Sequence, residues 1–244
     1  MTVYFIGAGP GAADLITVRG RDLLARCPVC LYPGSLTPPD LLAHCPPGAK
    51  LVDTARLSLD EIVAELTTGA DVARLCSGDP SIYSAVAEQM RRLDAAGVPY
   101  EIVPGVPAFA AAAAVLGREL TVPEVGQSLV ITRMRARSTA MPPGEDLATF
   151  AASGATLALH LAVNLIERVV EDLLPHYGAD CPAAVVARAS QPGQRIVRAV
   201  LGRIAPEVRA AGIDRAAVIF VGRVLTAEAF PDSYLYSASR DRPD

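Results

Sequence analysis

The sequence predicts an α/β protein made of two αβα domains, the first with a mostly parallel sheet and the second with a mixed sheet. Short β-prone runs alternate with helical segments, which is typical of sheets covered by helices on both faces. The 244 residues suffice for one large or two small domains. A polar, proline-bearing segment, 117–127, is the predicted hinge between an N-terminal domain (1–116) and a C-terminal domain (128–244). We expect the active cleft between the two halves.

The first strand, Val3–Ile6, breaks into a run with three glycines in five positions, Gly7-Ala8-Gly9-Pro10-Gly11. We interpret this strand as the central strand of the first sheet. Ligands of open parallel sheets lie beyond the carboxyl ends of the strands, and glycines there let the backbone approach a ligand closely. The glycine run is therefore the first candidate ligand loop.

The other elements of the first half follow from apolar runs and stop signals. A helix over 17–26 is predicted to turn Val18, Leu23 and Leu24 inward, and a capping box at Ser58–Glu61 starts a second helix. The predicted strands are 29–32, 51–53, 72–76 and 100–103, and the predicted helices are 17–26, 59–67, one from the 77–83 loop to about 95, and 108–116.

The second half yields a similar alternation. The strands at 184–187 and 195–201 are joined by so short a link that they must be antiparallel, which makes this sheet mixed. The remaining predicted strands are 129–132, 156–161 and 217–221, and the predicted helices are 146–152, 164–174 and 206–211.

Composition excludes several classes of protein. The net charge is −4 and no long basic run occurs, so a nucleic-acid partner is not expected. The longest apolar run, 106–116, is too short to span a bilayer, and no charged-then-apolar leader opens the chain. We therefore expect a cytoplasmic protein without membrane contact. The five cysteines are predicted to be buried free thiols, with Cys30 inside a strand.

No metal or nucleophile pattern is evident in the sequence. The three histidines, His44, His160 and His176, are scattered without the spacing of metal ligands. No nucleophile elbow of the G-x-S-x-G type occurs. We expect no metal site and structural roles for the histidines.

A dinucleotide fold is the alternative from a different class. Gly7, Gly9 and Ala12 fit the G-x-G-x-x-A pattern of a dinucleotide-dependent oxidoreductase. However, Pro10 lacks an N–H group for phosphate, and no acidic residue for the ribose follows Tyr32. Both departures argue against NAD or FAD.

The loop Ser77–Tyr83 is the second candidate ligand loop. Asp79 is predicted to cap a helix whose first residue is Pro80. Free N–H groups at a helix start attract a carboxylate, and Gly78 would remove the side chain that blocks its approach.

Three loops together carry a resemblance to a known family. Gly7–Gly11 followed by Asp14–Thr17, then Gly78-Asp79-Pro80, then Val103-Pro104-Gly105-Val106, resemble the motifs of the tetrapyrrole (corrin and porphyrin) methylases. The resemblance runs from residue 2 to about 225. It implies S-adenosylmethionine (SAM) as methyl donor, S-adenosylhomocysteine as product, a tetrapyrrole substrate and a homodimer.

The resemblance also implies site residues. Ser77 stands where several relatives have glycine, and Pro107-Ala108 replaces a hydroxyl-bearing pair, so a contact there would be backbone or apolar. Asp14 and Ser35 are assigned to the substrate. The implied cofactor contacts are Pro10, Ser77, Gly78, Asp79, Ile82, Pro107, Ala108, Leu161 and Ala189.

Arginines supply a candidate surface for the substrate. Arg133, Arg135 and Arg137 alternate beyond the end of a predicted strand, so an extended chain would place all three on one face. A guanidinium group binds carboxylates with two parallel hydrogen bonds, which suits the acetate and propionate arms of a precorrin.

Two segments suggest the branch of the family. The loops at 31–36 and after Thr132-Arg133 are most similar to those of members that methylate C11 of precorrin-4, giving precorrin-5 in cobalamin biosynthesis. Another corrin-ring methylase, acting on cobalt-precorrin-4 or on precorrin-2 or precorrin-3, stays open as the alternative.

Overall fold

The computed structural model describes residues 1–34, 37–134, 140–237 and 240. The chain forms two compact units, Met1–Ala111 and Ala112–Asp244. The hinge at 117–127 stays a prediction. Within the described residues, no helix has the length and apolar character needed to cross a membrane.

The first unit contains a five-stranded sheet in the order β3-β2-β4-β1-β5. Every strand pair is parallel, which confirms the predicted mostly parallel sheet. The middle strand is β4, so the prediction that the first strand is central was wrong by one place. The strands are β1 (Val3–Gly7), β2 (Val29–Tyr32), β3 (Lys50–Asp53), β4 (Val72–Cys76) and β5 (Tyr100–Val103).

Helices cover both faces of this sheet. One core cluster contains Ile6 and Leu24, and the other contains Phe5 and Leu93, all with no exposed surface. Successive residues of β1 therefore serve opposite cores, as alternation along a buried strand requires. The helices are α1 (Val18–Leu24), α2 (Pro39–Leu42), α3 (Leu59–Leu66), α4 (Val86–Ala95) and α5 (Ala108–Leu116), and the first four residues of α5 belong to this unit.

Helix starts in this unit are partly as predicted. The capping box at Ser58 and Glu61 is present, with both reciprocal hydrogen bonds. In α1, Leu23 is buried but Val18 is 68% exposed, because Val18 occupies the first turn while the buried stripe begins at Gly20. The prediction that Val18 faces inward was wrong.

The second unit contains a mixed five-stranded sheet in the order β6-β7-β10-β8-β9. Among the strands that the structure describes in this sheet, β6 and β7 alone pair in parallel, and the predicted antiparallel pair of β8 and β9 is confirmed. The strands are β6 (Leu129–Arg133), β7 (Thr156–His160), β8 (Pro182–Ala187), β9 (Arg195–Val200) and β10 (Ala217–Val221), and the helices are α6 (Leu147–Ala151), α7 (Ile166–Tyr177) and α8 (Leu201–Ala210).

The predicted start of the last helix in this unit, at Pro206, was wrong. Helix α8 begins at Leu201, directly after β9, and Pro206 lies inside it instead of at its first position. An interior proline costs a helix roughly 3 kcal/mol. Burial of Leu201, Ile204 and Val208 in the core of this unit offsets that cost.

Candidate active site

Three loops meet at the carboxyl edge of the first sheet. The loops after β1 and β4 pair through Gly9 and Gly78, whose amides donate to each other's carbonyls at 3.2 and 2.8 Å. A Cβ on Gly7 would lie 2.5 Å from Gly105 Cα, in the loop after β5, and real Cβ atoms do not approach that closely. The glycines are needed because these backbones touch each other.

Asp79 links two of these loops. Its Oδ2 accepts a hydrogen bond from Gly105 N at 2.8 Å, and its Oδ1 accepts one from Ser81 N at 2.8 Å and another from the Ser81 hydroxyl. Burial opposes ionisation of the carboxyl group, but these hydrogen bonds outweigh it and hold the pKa of Asp79 below its ordinary value. The site therefore keeps a fixed negative charge.

The structure corrects the predicted role of Asp79 as a helix cap. Helix α4 begins at Val86, so Pro80 is not its first residue. The segment between contains Tyr83 and Ala85 with φ of 54° and 51°, a left-handed conformation that cannot continue a right-handed helix. No helix start at residue 80 supplies free N–H groups for a ligand.

Gly78 adopts φ of 70°, which favours glycine. A Cβ there would lie 3.5 Å from Ala108 N and 3.6 Å from Pro107 Cα, which are ordinary contact distances. Its missing side chain therefore leaves the segment at the start of α5 uncovered.

The other cofactor residues predicted for this unit lie on the same loops. Ser77 is exposed, and Ile82, Pro107 and Ala108 are half-buried. Pro10 is buried beside Gly9, so any contact it makes would use its backbone or ring edge. The structure thus gathers these predicted positions at one edge of one sheet.

Of the two substrate-binding residues predicted in this unit, the structure describes one. Asp14 is exposed on a short 3-10 turn, Ala13–Leu15, in the chain that follows the glycine run. Ser35 lies outside the described residues.

Three predicted residues of the second unit also share one sheet edge. Arg133 ends β6, and its register partner His160 ends the parallel strand β7, directly before Leu161. Because β10 runs antiparallel to β7 and β8, its first residue, Ala217, lies at this edge beside Ala187. Ala189 lies two residues after Ala187 in the chain, and it is buried.

Leu161 was predicted to end a strand, but it lies beyond β7. Its φ is 52° and its side chain is 62% exposed. A left-handed conformation at a leucine costs roughly 1–2 kcal/mol, and exposure gives no burial energy in return. Such a residue is typical of a ligand-contacting position.

Strained non-glycine residues concentrate at the candidate loops. Of the seven with positive φ in the described part of the chain, five lie in the 81–85 segment, directly after β7, or around Ala189. Arg188 and Ser190 flank Ala189 with φ of 50° and 65°. Strain of this kind clusters at functional sites.

Arg133 is half-buried at the strand end, and its Nη1 lies 3.4 Å from the carbonyl of Met134. Arg135 and Arg137 lie outside the described residues. The predicted shared face of the three arginines therefore stays a prediction.

His160 sits next to Leu161 at this edge. Burial lowers the pKa of its imidazole to about 4, so it is neutral at physiological pH. Among the described residues, no group of three His, Cys, Asp or Glu side chains could hold a metal ion.

Sequence reasoning missed two features of the site. The link from Asp79 to Gly105 joins residues 26 positions apart, and no local pattern indicates it. The left-handed backbone at Tyr83, Ala85, Arg188 and Ser190 also has no sequence signal, because none of these residues prefers that conformation.

The fold and these two edges define a two-unit α/β protein with glycine loops at strand ends. The family model described as Tetrapyrrole (Corrin/Porphyrin) Methylases matches residues 2–205. The chain belongs to this family. It is 64% identical to the precorrin-4 C(11)-methyltransferase of Rhodococcus erythropolis, over 99% of each chain.

Solved structures agree with this assignment. A cobalt-precorrin-4 methyltransferase, described as a cobalamin biosynthetic enzyme, matches with a TM-score of 0.89 and 39% identity, over 93% of this chain and 96% of that one. The uroporphyrin-III C-methyltransferase of Thermus thermophilus, complexed with S-adenosylhomocysteine, matches with a TM-score of 0.76 and 28% identity, over 92% and 99%.

Proposed function

We propose that this protein is a SAM-dependent C-methyltransferase that methylates C11 of precorrin-4, giving precorrin-5 and S-adenosylhomocysteine in cobalamin biosynthesis. The observation that carries this proposal is the 64% identity with the Rhodococcus enzyme along nearly the whole of both chains. The cobalt-precorrin-4 enzyme of known structure is only 39% identical, which favours the metal-free substrate.

The described residues fit SAM. Asp79 keeps a negative charge, which suits a ligand with a sulfonium and an ammonium group. Tyr83 and Leu161 offer exposed apolar surface on strained backbone, 44% and 62% exposed. The residues proposed to hold SAM are those named from the sequence: Pro10, Ser77, Gly78, Asp79, Ile82, Pro107, Ala108, Leu161 and Ala189.

Methyl transfer from SAM requires little of the protein beyond the alignment of methyl donor and acceptor. When bound, SAM supplies a methyl group on a sulfonium, whose C–S bond breaks as the substrate carbon donates the electron pair of the new C–C bond. The protein's part is to hold donor and acceptor in line and to exclude water. A rigid set of loops suits that part, because Asp79 and the glycine contacts fix their spacing.

The substrate side of the proposal uses Arg133 and Asp14. Arg133 lies at the strand end, where its guanidinium group would bind an acid arm, and Asp14 lies after the glycine run. Ser35, Arg135 and Arg137 are retained as substrate contacts on the sequence pattern alone.

One experiment tests the reaction. The enzyme is incubated with methyl-labelled SAM and with either precorrin-4 or cobalt-precorrin-4, and the new methyl group is located by NMR. We expect label at C11 and faster turnover of the metal-free substrate. Label at another ring carbon, or a preference for the cobalt form, would contradict the proposal.

A binding measurement distinguishes the proposed methyltransferase from the alternative, a dinucleotide-dependent oxidoreductase. Calorimetry should show one SAM or S-adenosylhomocysteine per chain and no binding of NAD or FAD. Tight NAD binding without a response to SAM would instead support the oxidoreductase.

We also propose a cytoplasmic homodimer. The resemblance to the family supports the dimer, and light scattering of the purified protein would test it. The cleft expected between the two halves stays a prediction.

A further inference from the structure

A buried arginine lies in the centre of the first sheet. Arg74 is the middle residue of β4, and its side chain is 7% exposed. Its register partners, Phe5 and Leu31, both belong to the core cluster on the side of α3 and α4. Among the residues that the structure describes, no Asp or Glu forms an ion pair with Arg74. A buried charge is costly unless hydrogen bonds satisfy it, so the hydrogen-bond partners of Arg74 indicate its role.

One donor of Arg74 fills a gap in the sheet. Strand β2 extends to Tyr32, but its pairing with β4 ends at Leu31, opposite Arg74. The next hydrogen bond of this parallel pair would run from the backbone N–H of residue 33 to the carbonyl of Leu75. Residue 33 is a proline, which has no N–H group. Nη1 of Arg74 donates to the Leu75 carbonyl instead, at 2.9 Å.

A second donor of Arg74 leads to the start of α4. Its Nε donates to Gln89 Oε1 at 3.2 Å, and Gln89 Nε2 donates to the Ala85 carbonyl at 3.0 Å. Because a guanidinium group only donates, the Gln89 oxygen has to face it, which leaves the amide N–H groups for Ala85. Gln89 lies on α4 and is 3% exposed. Ala85 directly precedes α4 and has left-handed backbone, with φ of 51°.

The two carbonyls lie at the two ends of a candidate cofactor loop. Leu75 directly precedes the last residue of β4, and Ala85 directly precedes α4. Arg74 and Gln89 therefore join the point where the chain leaves the sheet to the point where it enters the helix. The loop between these points, 77–84, contains four of the residues proposed to hold SAM: Ser77, Gly78, Asp79 and Ile82.

We propose that Arg74 and Gln89 are positioning residues for the cofactor, because they join the two ends of loop 77–84 and hold it in the conformation that binds SAM. They act through the carbonyls of Leu75 and Ala85, and neither is among the residues proposed to contact SAM. The inference rests on the function proposed above.

A purely structural role in the core is the alternative, and Leu66 provides the control for it. Leu66 lies on α3 in the same core cluster and has no exposed surface. Leu66→Ala leaves a cavity in that core, so it lowers stability but retains the hydrogen bonds of Arg74 and Gln89. A comparison of the two kinds of variant therefore separates loss of stability from loss of loop position.

The first test compares affinities for S-adenosylhomocysteine. Arg74→Met keeps an unbranched apolar side chain but removes every donor. Calorimetry is done at a temperature at which circular dichroism shows each variant to be folded. We expect Arg74→Met to bind about tenfold more weakly than wild type, because both ends of the loop are released. Leu66→Ala should bind within about twofold of wild type, since distant sites act independently.

Pro33 allows the first link to be restored. Pro33→Ala supplies the backbone N–H group that the parallel register directs at the Leu75 carbonyl. Alone, this substitution should leave affinity unchanged. Combined with Arg74→Met, it should recover part of the loss, to within about threefold of wild type, because one of the two ends is held again.

Gln89→Glu tests the second link. A glutamate keeps an acceptor for Arg74 but has no donor for the Ala85 carbonyl. We expect its affinity for S-adenosylhomocysteine to fall by about threefold to tenfold, because only the end of the loop at α4 is released.

Hydrogen exchange of the amides in 77–85 measures loop position without a ligand. These amides should exchange about tenfold faster in Arg74→Met than in wild type, and at the wild-type rate in Leu66→Ala, because loops exchange through local opening. A wild type that binds no S-adenosylhomocysteine would overturn the proposed function. The exchange rates would then still support or overturn the role of Arg74 and Gln89 in holding the loop.

Two results would overturn the inference. The first is an Arg74→Met variant with wild-type affinity and wild-type exchange in the loop. The second is an equal loss of affinity in Arg74→Met and in Leu66→Ala, which would assign the effect to core stability. If Arg74→Met fails to fold, Gln89→Glu decides, since wild-type affinity and exchange in that variant would show that the loop does not depend on this link.

Discussion

The two candidate edges differ in the residues that take left-handed backbone close to the strand ends. At the edge of the first sheet, the paired glycines Gly9 and Gly78 take that conformation without strain, and the strained Tyr83 and Ala85 lie further along the loop after β4. At the edge of the second sheet, Leu161, Arg188 and Ser190 take it in spite of their side chains. Where the loops pack against each other, the absence of a side chain is what matters. Where strained backbone carries a side chain, we expect that side chain to have a role that glycine could not fill.

The largest expected effect tests the glycine contacts. Gly105→Ala should destabilise the protein by at least about 3 kcal/mol, because its Cβ would lie 2.7 Å from Gly7 Cα and backbone atoms cannot rotate away. Urea unfolding followed by far-UV circular dichroism measures the change.

Gly97→Ala is the control for that variant. Gly97 has φ of 64°, but no atom lies within 4 Å of the position that an added Cβ would take, so only the backbone cost of about 1–2 kcal/mol applies. If Gly105→Ala and Gly97→Ala lowered the free energy of unfolding by equal amounts, the close packing of the three loops would be contradicted.

Asp79→Ala should cost about 2–3 kcal/mol, because it removes the charged acceptor that holds Gly105 and Ser81. The pKa of Asp79 is lowered in the folded state, so its contribution is present above the ordinary aspartate pKa. That contribution is lost as the pH falls through the lower folded value. Unfolding of wild type and variant at pH 7 and pH 3 measures both effects, and a difference that stays the same at the two pH values would refute this role.

His160 should make the second unit sensitive to milder acid. Its folded pKa of about 4 lies below the ordinary value of 6.5, so the unfolded state takes up a proton first. Stability should fall between these two values, by about 2 kcal/mol from pH 7 to pH 5, and should not depend on this group above pH 7.

The variant His160→Asn isolates that effect. Its loss of stability between pH 7 and pH 5 should be smaller than that of wild type, as judged from urea midpoints at the two pH values. An unchanged pH dependence would show that His160 does not titrate in this range.

The smallest expected change in stability tests the strained leucine. Leu161→Gly relieves the left-handed strain but adds chain entropy, so the free energy of unfolding should change by less than about 1 kcal/mol. SAM affinity should fall roughly tenfold, because an apolar contact of about 1.5 kcal/mol is removed. Calorimetry with SAM measures this loss.

Leu235→Gly, at an exposed leucine of the C-terminal segment, is the control for Leu161. It should leave SAM affinity unchanged. If Leu161→Gly also binds SAM like wild type, the strain at Leu161 serves something other than the cofactor.

The sequence by itself determined most of the strands and helices and indicated the family. Strands such as Val72–Cys76 and helix Ala108–Leu116 have the predicted bounds, because alternation and turn residues act locally. The motifs at Gly7–Gly11 and Gly78–Pro80 were enough to indicate the tetrapyrrole methylases, which the family model confirms. The predicted start of α4 was wrong because the sequence around Asp79 is compatible both with a helix cap and with a hydrogen bond to a distant loop.

Only the tertiary structure decided which residues meet. The link from Asp79 to Gly105, the pairing of Gly9 with Gly78 and the exposed, strained Leu161 each depend on the chain that packs beside them. A side chain's choice among hydrogen-bond partners is set by the free energy of the whole packed arrangement. No pattern in neighbouring residues carries that information, because the partners are brought together by strand order.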